Sequence, residues 1–188
     1  MPQRLLFVRA VNVGGARMPM AEFRELLASL GGTRAATLIA SGNAVVEVEG
    51  DAAAFDRAVE AGMRDRFGFD REVISRTAAE VSASLAEHPL PVEDAARSYV
   101  CFLDRIPAPE AIEQASAVPT GADRWALGEH DLHLRFEAGA GTAELDLTRL
   151  LKALGVIGTA RNLRTVDRMI QLAATRAAAG LAPRSTDR

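Results

Sequence analysis

The first 76 residues alternate between strand-like and helix-like patterning in the order β-α-β-β-α-β, which constrains the fold more than any other feature of the chain. Leu5 to Val11 is apolar and β-branched enough for a strand, and Asn-Val-Gly-Gly then breaks it. Pro19 suits a first helical turn, and Met20, Phe23, Leu26, Leu27 and Leu30 recur on one helical face before Gly31-Gly32. Residues 34 to 40 and 44 to 49 read as strands flanking Ser41-Gly42-Asn43, which has the chemistry of a tight hairpin turn. Asp51 can cap a helix in which Phe55, Val59, Met63 and Phe67 fall four apart, and Glu72 to Ser75 forms a fourth strand. The expected fold class is α+β: a ferredoxin-like (split βαβ) N-terminal subdomain, a second smaller α+β subdomain, and C-terminal helices.

Thr77-Ala78-Ala79-Glu80 has the form of a capping box for a helix to about Glu87, and His88-Pro89-Leu90-Pro91 ends it. The expected division is therefore residues 1–90 as the ferredoxin-like subdomain with its linking helix, and 91–176 as the second unit. Residues 177–188 lack a sustained apolar face and read as a flexible tail. In the second unit a strand at Ser98 to Leu103, a helix near Pro109 to Ala117, and a hairpin around Gly128-Glu129-His130-Asp131 repeat β-α-β-β as an architectural echo. Two helices follow, Leu145 to Leu154 and Thr159 to Ala174.

Composition narrows the chemistry. Hydrophobic residues make up 48% of 188, enough to bury a core. A net charge of -3 supplies no field that would draw the chain onto nucleic acid or an anionic membrane, so any anion site must be local. Lys152 is the only lysine, which leaves Schiff-base and P-loop chemistry almost without a candidate, and arginine does not act as a base at neutral pH. Cys101 lies in the apolar run Tyr99-Val100-Cys101-Phe102-Leu103 and reads as a small buried hydrophobe; one cysteine forms no internal disulfide, which fits a cytoplasmic location. No 18-residue apolar stretch is present, so no membrane association is expected.

Three polar motifs stand where apolar segments end: Arg9-Ala10-Val11-Asn12-Val13-Gly14-Gly15, Ser41-Gly42-Asn43, and Thr159-Ala160-Arg161-Asn162. In a split βαβ sheet the first two strands run parallel with the third between them, so the first two motifs leave one sheet edge together. Thr159 reads as the cap of the last helix, with Arg161 and Arg164 in its first turn. The helix dipole disfavours cations there, so a neighbouring carboxylate or a bound anion should compensate them. Gly14 and Gly15 permit positive φ and close approach to an oxyanion, but they lack the dinucleotide fingerprint spacing. The candidate ligand-binding residues are Arg9, Asn12, Gly14, Gly15, Ser41, Asn43, Thr159, Arg161 and Asn162.

With these motifs in place, the chain resembles the bacterial domain of unknown function 1697 family, over about residues 1 to 174. Phe67-Gly68-Phe69-Asp70 and Leu154-Gly155-Val156 are also similar to its pattern. The resemblance implies a compact α+β protein with ferredoxin-like subdomains and no established activity. The chain departs from the pattern at Ala10, where glycine is usual, at Leu163 and Arg164, which replace Trp-Asn, and at Glu144, where lysine is typical.

Catalytic readings lack residues. His130 and His133 have no further ligands at metal spacing, so no metal is expected; His130 reads as an exposed turn residue and His88 as structural. No histidine is tied to Ser41, and the carboxylates form no identifiable pair. Sheet-face RNA recognition is not expected, because Phe7 is alone on the first strand and the third carries no aromatic. The leading expectation is a cytoplasmic binding protein holding a small anionic or nucleotide-like ligand between its subdomains through Arg9 and Arg161, with no cofactor. The alternatives are a structural or protein-interaction module, or an enzyme on a phosphorylated or acyl substrate; the oligomeric state stays open.

Overall fold

The structure, a computed structural model, describes residues 1–12 and 14–181; Val13 of the first motif and tail residues 182–188 lie outside it. Residues Gln3–Val8 (β1), Met20–Ser29 (α1), Thr33–Leu38 (β2), Asn43–Glu47 (β3), Ala52–Phe67 (α2) and Val73–Thr77 (β4) form the first β-α-β-β-α-β unit. Its sheet has the order β2-β3-β1-β4 with every neighbouring pair antiparallel. β1 and β2 therefore run parallel on either side of β3, as the split βαβ pattern predicts. Asp51 caps α2 by accepting from the Ala53 amide, and Thr77 and Glu80 form a complete capping box on Ala78–Ala86 (α3).

The echo in the second half is complete, not partial. Ser98–Leu103 (β5), Pro109–Ala115 (α4), Arg124–Leu127 (β6), Asp131–Arg135 (β7), Leu147–Leu154 (α5) and Gly158–Asn162 (β8) again run β-α-β-β-α-β, and the sheet order β6-β7-β5-β8 repeats the first. The second unit repeats every element of the first over a shorter span, residues 98–162 against 3–77. The expected helix from Thr159 is corrected: Thr159 to Asn162 belong to β8, and Leu163–Leu181 (α6) begins only after Asn162, whose side chain accepts from the Thr165 amide. This helix also continues past Ala174, through the first residues assigned to the tail.

Strand alternation sorts the apolar residues into three layers. Leu6 and Val8 of β1 face α1 and α2, and Cys101 and Leu103 of β5 face α4 and α5. Leu5, Phe7, Val100 and Phe102 point the other way, so the two sheets pack face to face, with Val81 of α3 and Val166 and Met169 of α6 in the same core. Phe7 and Phe102 stack at that interface, ring centroids 4.1 Å apart and planes 15° apart. Helix α6 packs on β2 and β3 of the first sheet, whereas α3 makes its main contacts with β1, β4 and α6.

Candidate functional site

Arg161 stands opposite Val100 in the β5–β8 ladder, so its side chain leaves sheet two on the face that meets sheet one. There it joins two of the three motifs. Its Nε donates to Asn43 Oδ1 at 2.7 Å, Nη2 to the carbonyls of Val8 (2.7 Å) and Ser41 (3.0 Å), and Nη1 to Thr159 Oγ1 (2.7 Å) and the Ala160 carbonyl (2.9 Å). All five guanidinium donors are engaged, every acceptor is neutral, and no carboxylate stands at ion-pair distance among the described residues. Loss of water around the group pulls its pKa down to about 10.

Each neighbour is held in turn. Asn43 is buried on β3 opposite Phe7, and its Nδ2 donates to Ser41 Oγ at 2.7 Å. Gly42 turns at φ +72°, and its carbonyl accepts from the Val8 amide. A Cβ on Gly42 would lie 2.8 Å from Val8 Cβ, so the turn needs glycine for conformation and for space. Asn12, itself at φ +56°, ties the first motif to the residue before the second: Nδ2 donates to Ala40 O at 2.6 Å and Met18 O at 3.1 Å, and Oδ1 accepts from the Met18 amide.

Other predicted site residues stand apart from this network. Arg9 pairs with Glu72 at 3.3 Å. Gly14 and Gly15, at φ +58° and +91°, line a shallow depression with Asn12, Ala16 and Arg17. Asn162 caps α6. Arg164 finds its compensating carboxylate in Asp94 at 3.1 Å, and Glu144 binds the Ala122 amide. Cys101 is fully buried in the outer core, and burial pushes its thiol up to about 12.

A second crossing lies where the pseudo-twofold echo requires one, and sequence reasoning missed it. Arg76 stands opposite Leu5 in β4, as Arg161 stands opposite Val100 in β8. Its Nη2 donates to the Leu103 carbonyl at 2.6 Å and to Asp131 Oδ1 at 3.1 Å. Leu103 ends β5 as Val8 ends β1, and Asp131 stands opposite Phe102 as Asn43 stands opposite Phe7. Thr77 caps α3 next to Arg76, as Asn162 caps α6 next to Arg161. Ser84 Oγ donates to the other Asp131 oxygen at 2.5 Å, so this buried carboxylate is neutralised and bonded on both sides.

The two crossings differ in what covers them. The Arg76 side opens on a cavity of about 590 Å³ between α3 and the β6–β7 turn. His133 lines it, 2% exposed, with no partner for Nδ1 among the described residues. His88 meets that ring edge-on, centroids 4.7 Å apart, and its own Nδ1 lies 3.0 Å from the Leu90 carbonyl. Burial, with the neighbouring His88 next, lowers the His133 pKa to about 4. His133 is thus a core residue and not a turn residue like the exposed His130. No group of three or more His, Cys, Asp or Glu is placed to hold a metal, and no helix is long and apolar enough to cross a membrane, among the described residues.

A two-sheet α+β protein with these motifs belongs to a defined class: the family profile described as "protein of unknown function (DUF1697)" matches residues 1–133, and the chain is a member of that family. The conserved bacterial protein SP0830 from Streptococcus pneumoniae has a similar structure, with a TM-score of 0.66 over 91% of this chain and 98% of that one, at 20% identity. At that identity the likeness is one of fold. No protein with a curated description matches the chain.

Proposed function

We propose that the three motifs are a structural lock, and that the chain works as a rigid two-sheet binding module whose partner is met away from them. The observation that carries this reading is the saturation of Arg161: five donors meet five neutral acceptors drawn from both sheets. An anion at Arg161 would have to displace at least one of those bonds, each worth about 1.5 to 3 kcal/mol to a charged donor. The lock reading takes the place of the anion site expected from the motifs, since Arg9 and Arg161, which that site would combine, are engaged separately. A buried, unreactive Cys101 and a bacterial structural neighbour support placing its work in a bacterial cytoplasm.

The test is a titration of the chain with inorganic phosphate, followed by the Arg161 Nε–H resonance. The lock predicts a resonance that does not move and stays protected from exchange. A saturable shift would restore the anion site and sink this reading.

A further inference from the structure

His88 and His133 meet edge-on, and each ring keeps one buried nitrogen that has no partner among the described residues, Nε2 of His88 and Nδ1 of His133. Nδ1 of His88 donates to the Leu90 carbonyl at 3.0 Å, so its Nε2 holds the lone pair of a neutral ring. An imidazolium carries N–H on both nitrogens. A proton added to either ring therefore creates a buried, charged donor without an acceptor among the described residues. With the centroids 4.7 Å apart, a charge on one ring also opposes a charge on the other. The contact suits two neutral rings and no other pair.

The groups around His133 are otherwise engaged, apolar or exposed. Val100 and Ala126 stand opposite it in β5 and β6, and Gly128 packs on its Nε2, where a Cβ would come within 2.6 Å. Asp131, on the same strand, spends its oxygens on Arg76, Ser84 and the Leu103 amide. Arg135, two residues along β7, is held by Glu93 and Glu137. From α3 the adjoining cavity is faced by Glu80, engaged in the Thr77 capping box, and by exposed Glu87; from the β6–β7 turn it is faced by exposed Glu129 and His130. Burial, with His88 next, outweighs the pull of Asp131 and keeps the His133 ring neutral.

The two sides of the contact are not equally fixed. β7 is bonded to β5 on one side and β6 on the other, whereas residues 88–93 belong to no helix or strand. Pro89, Pro91 and Val92 are exposed, and Arg135 holds the Pro91 carbonyl at 3.0 Å. The end of α3 is thus the part that yields first, at less cost than the sheet interface around Phe7 and Phe102. We propose that the His88–His133 contact is an acid-released latch: a proton taken up by His133 frees residues 87–91 from β7 and opens the end of α3 beside the cavity, while the two sheets stay packed. The latch goes beyond the lock at Arg161 and does not depend on it.

Native-state hydrogen exchange on the full chain, read residue by residue at about pH 7.5 and about pH 5 in dilute urea, tests the latch. His133 titrates near 4 when closed and near 6.5 when open, so the closed form has its full advantage above 6.5 and loses it as pH falls toward 4. The opening constant at Leu85, Ala86 and Glu87 should rise about 30-fold between the two conditions, with little dependence on urea. His133→Leu should hold that rise below about threefold. The pH comparison on the unaltered chain needs no variant, so it decides the matter even where the substitution disturbs folding. A rise below about threefold in the unaltered chain, a rise that persists in His133→Leu, or one that follows urea as steeply as the Phe7 and Phe102 amides overturns the proposal.

Discussion

Arg161 illustrates how one residue can hold two sheets together without an opposing charge. Five neutral acceptors spread its positive charge over carbonyl, amide and hydroxyl oxygens, and the bonds themselves compensate the lost hydration. That arrangement needs the Val8, Ser41 and Asn43 oxygens within one small space, which Gly42 makes available by turning at φ +72°. Gly42→Ala adds a Cβ 2.8 Å from Val8 Cβ and 2.6 Å from Val11 Cγ2, in a backbone region that disfavours side chains. It should lower the free energy of unfolding by about 2 kcal/mol or more, measured by urea denaturation. A change smaller than about 0.5 kcal/mol, the ordinary range for surface substitutions, would mean that the turn relaxes and does not position the lock. The residues of the lock were readable as motifs, because glycine, asparagine and arginine at strand ends are conspicuous. The role of Arg161 was not: Thr159 and Asn162 are both good helix caps three residues apart, and local pattern does not choose between them.

At the scale of elements, the alternation that defined β1, β3 and β5 was clear because those strands are apolar. β8 escaped recognition because Gly-Thr-Ala-Arg-Asn has little strand propensity and pairs only as an edge. Once β8 is in place the second crossing follows, but the loops between equivalent strands differ in length, so sequence spacing alone does not align Arg76 with Arg161. The segment just after α3 meets β7 through the His88–His133 pair, and that contact depends on pH. His133 is held neutral, its pKa lowered from 6.5 to about 4, so the unfolded chain takes up a proton that the folded chain refuses. Stability from this group is fully present above pH 6.5 and is lost as pH falls toward 4, by about 3 kcal/mol at most. Unfolding curves across that window should show a smaller slope with pH for His133→Leu than for the unaltered chain; parallel slopes would show that the imidazole already carries a proton in the folded state.

The whole molecule is two copies of one topology packed face to face around Phe7 and Phe102, with an arginine crossing on each side. Such a design buries the inner faces of both sheets, and its halves differ most in the length of the helix beside the interface, nine residues in α3 against nineteen in α6. The fold was accessible from patterning in the first half because helix and strand periods are distinct there. The cavity beside Arg76 was not, since it depends on how α3 packs against the β6–β7 turn, a property of packing that no local pattern encodes. The structural reading rests on one saturated arginine that joins the two sheets. The direct measurement is equilibrium unfolding of Arg161→Ala, read by urea denaturation. Removing the guanidinium strips Asn43, Val8 and Ser41 of their shared donor, and the account predicts a loss of about 2 to 4 kcal/mol. Stability unchanged within about 0.5 kcal/mol would contradict it and return Arg161 to the role of a ligand-binding residue.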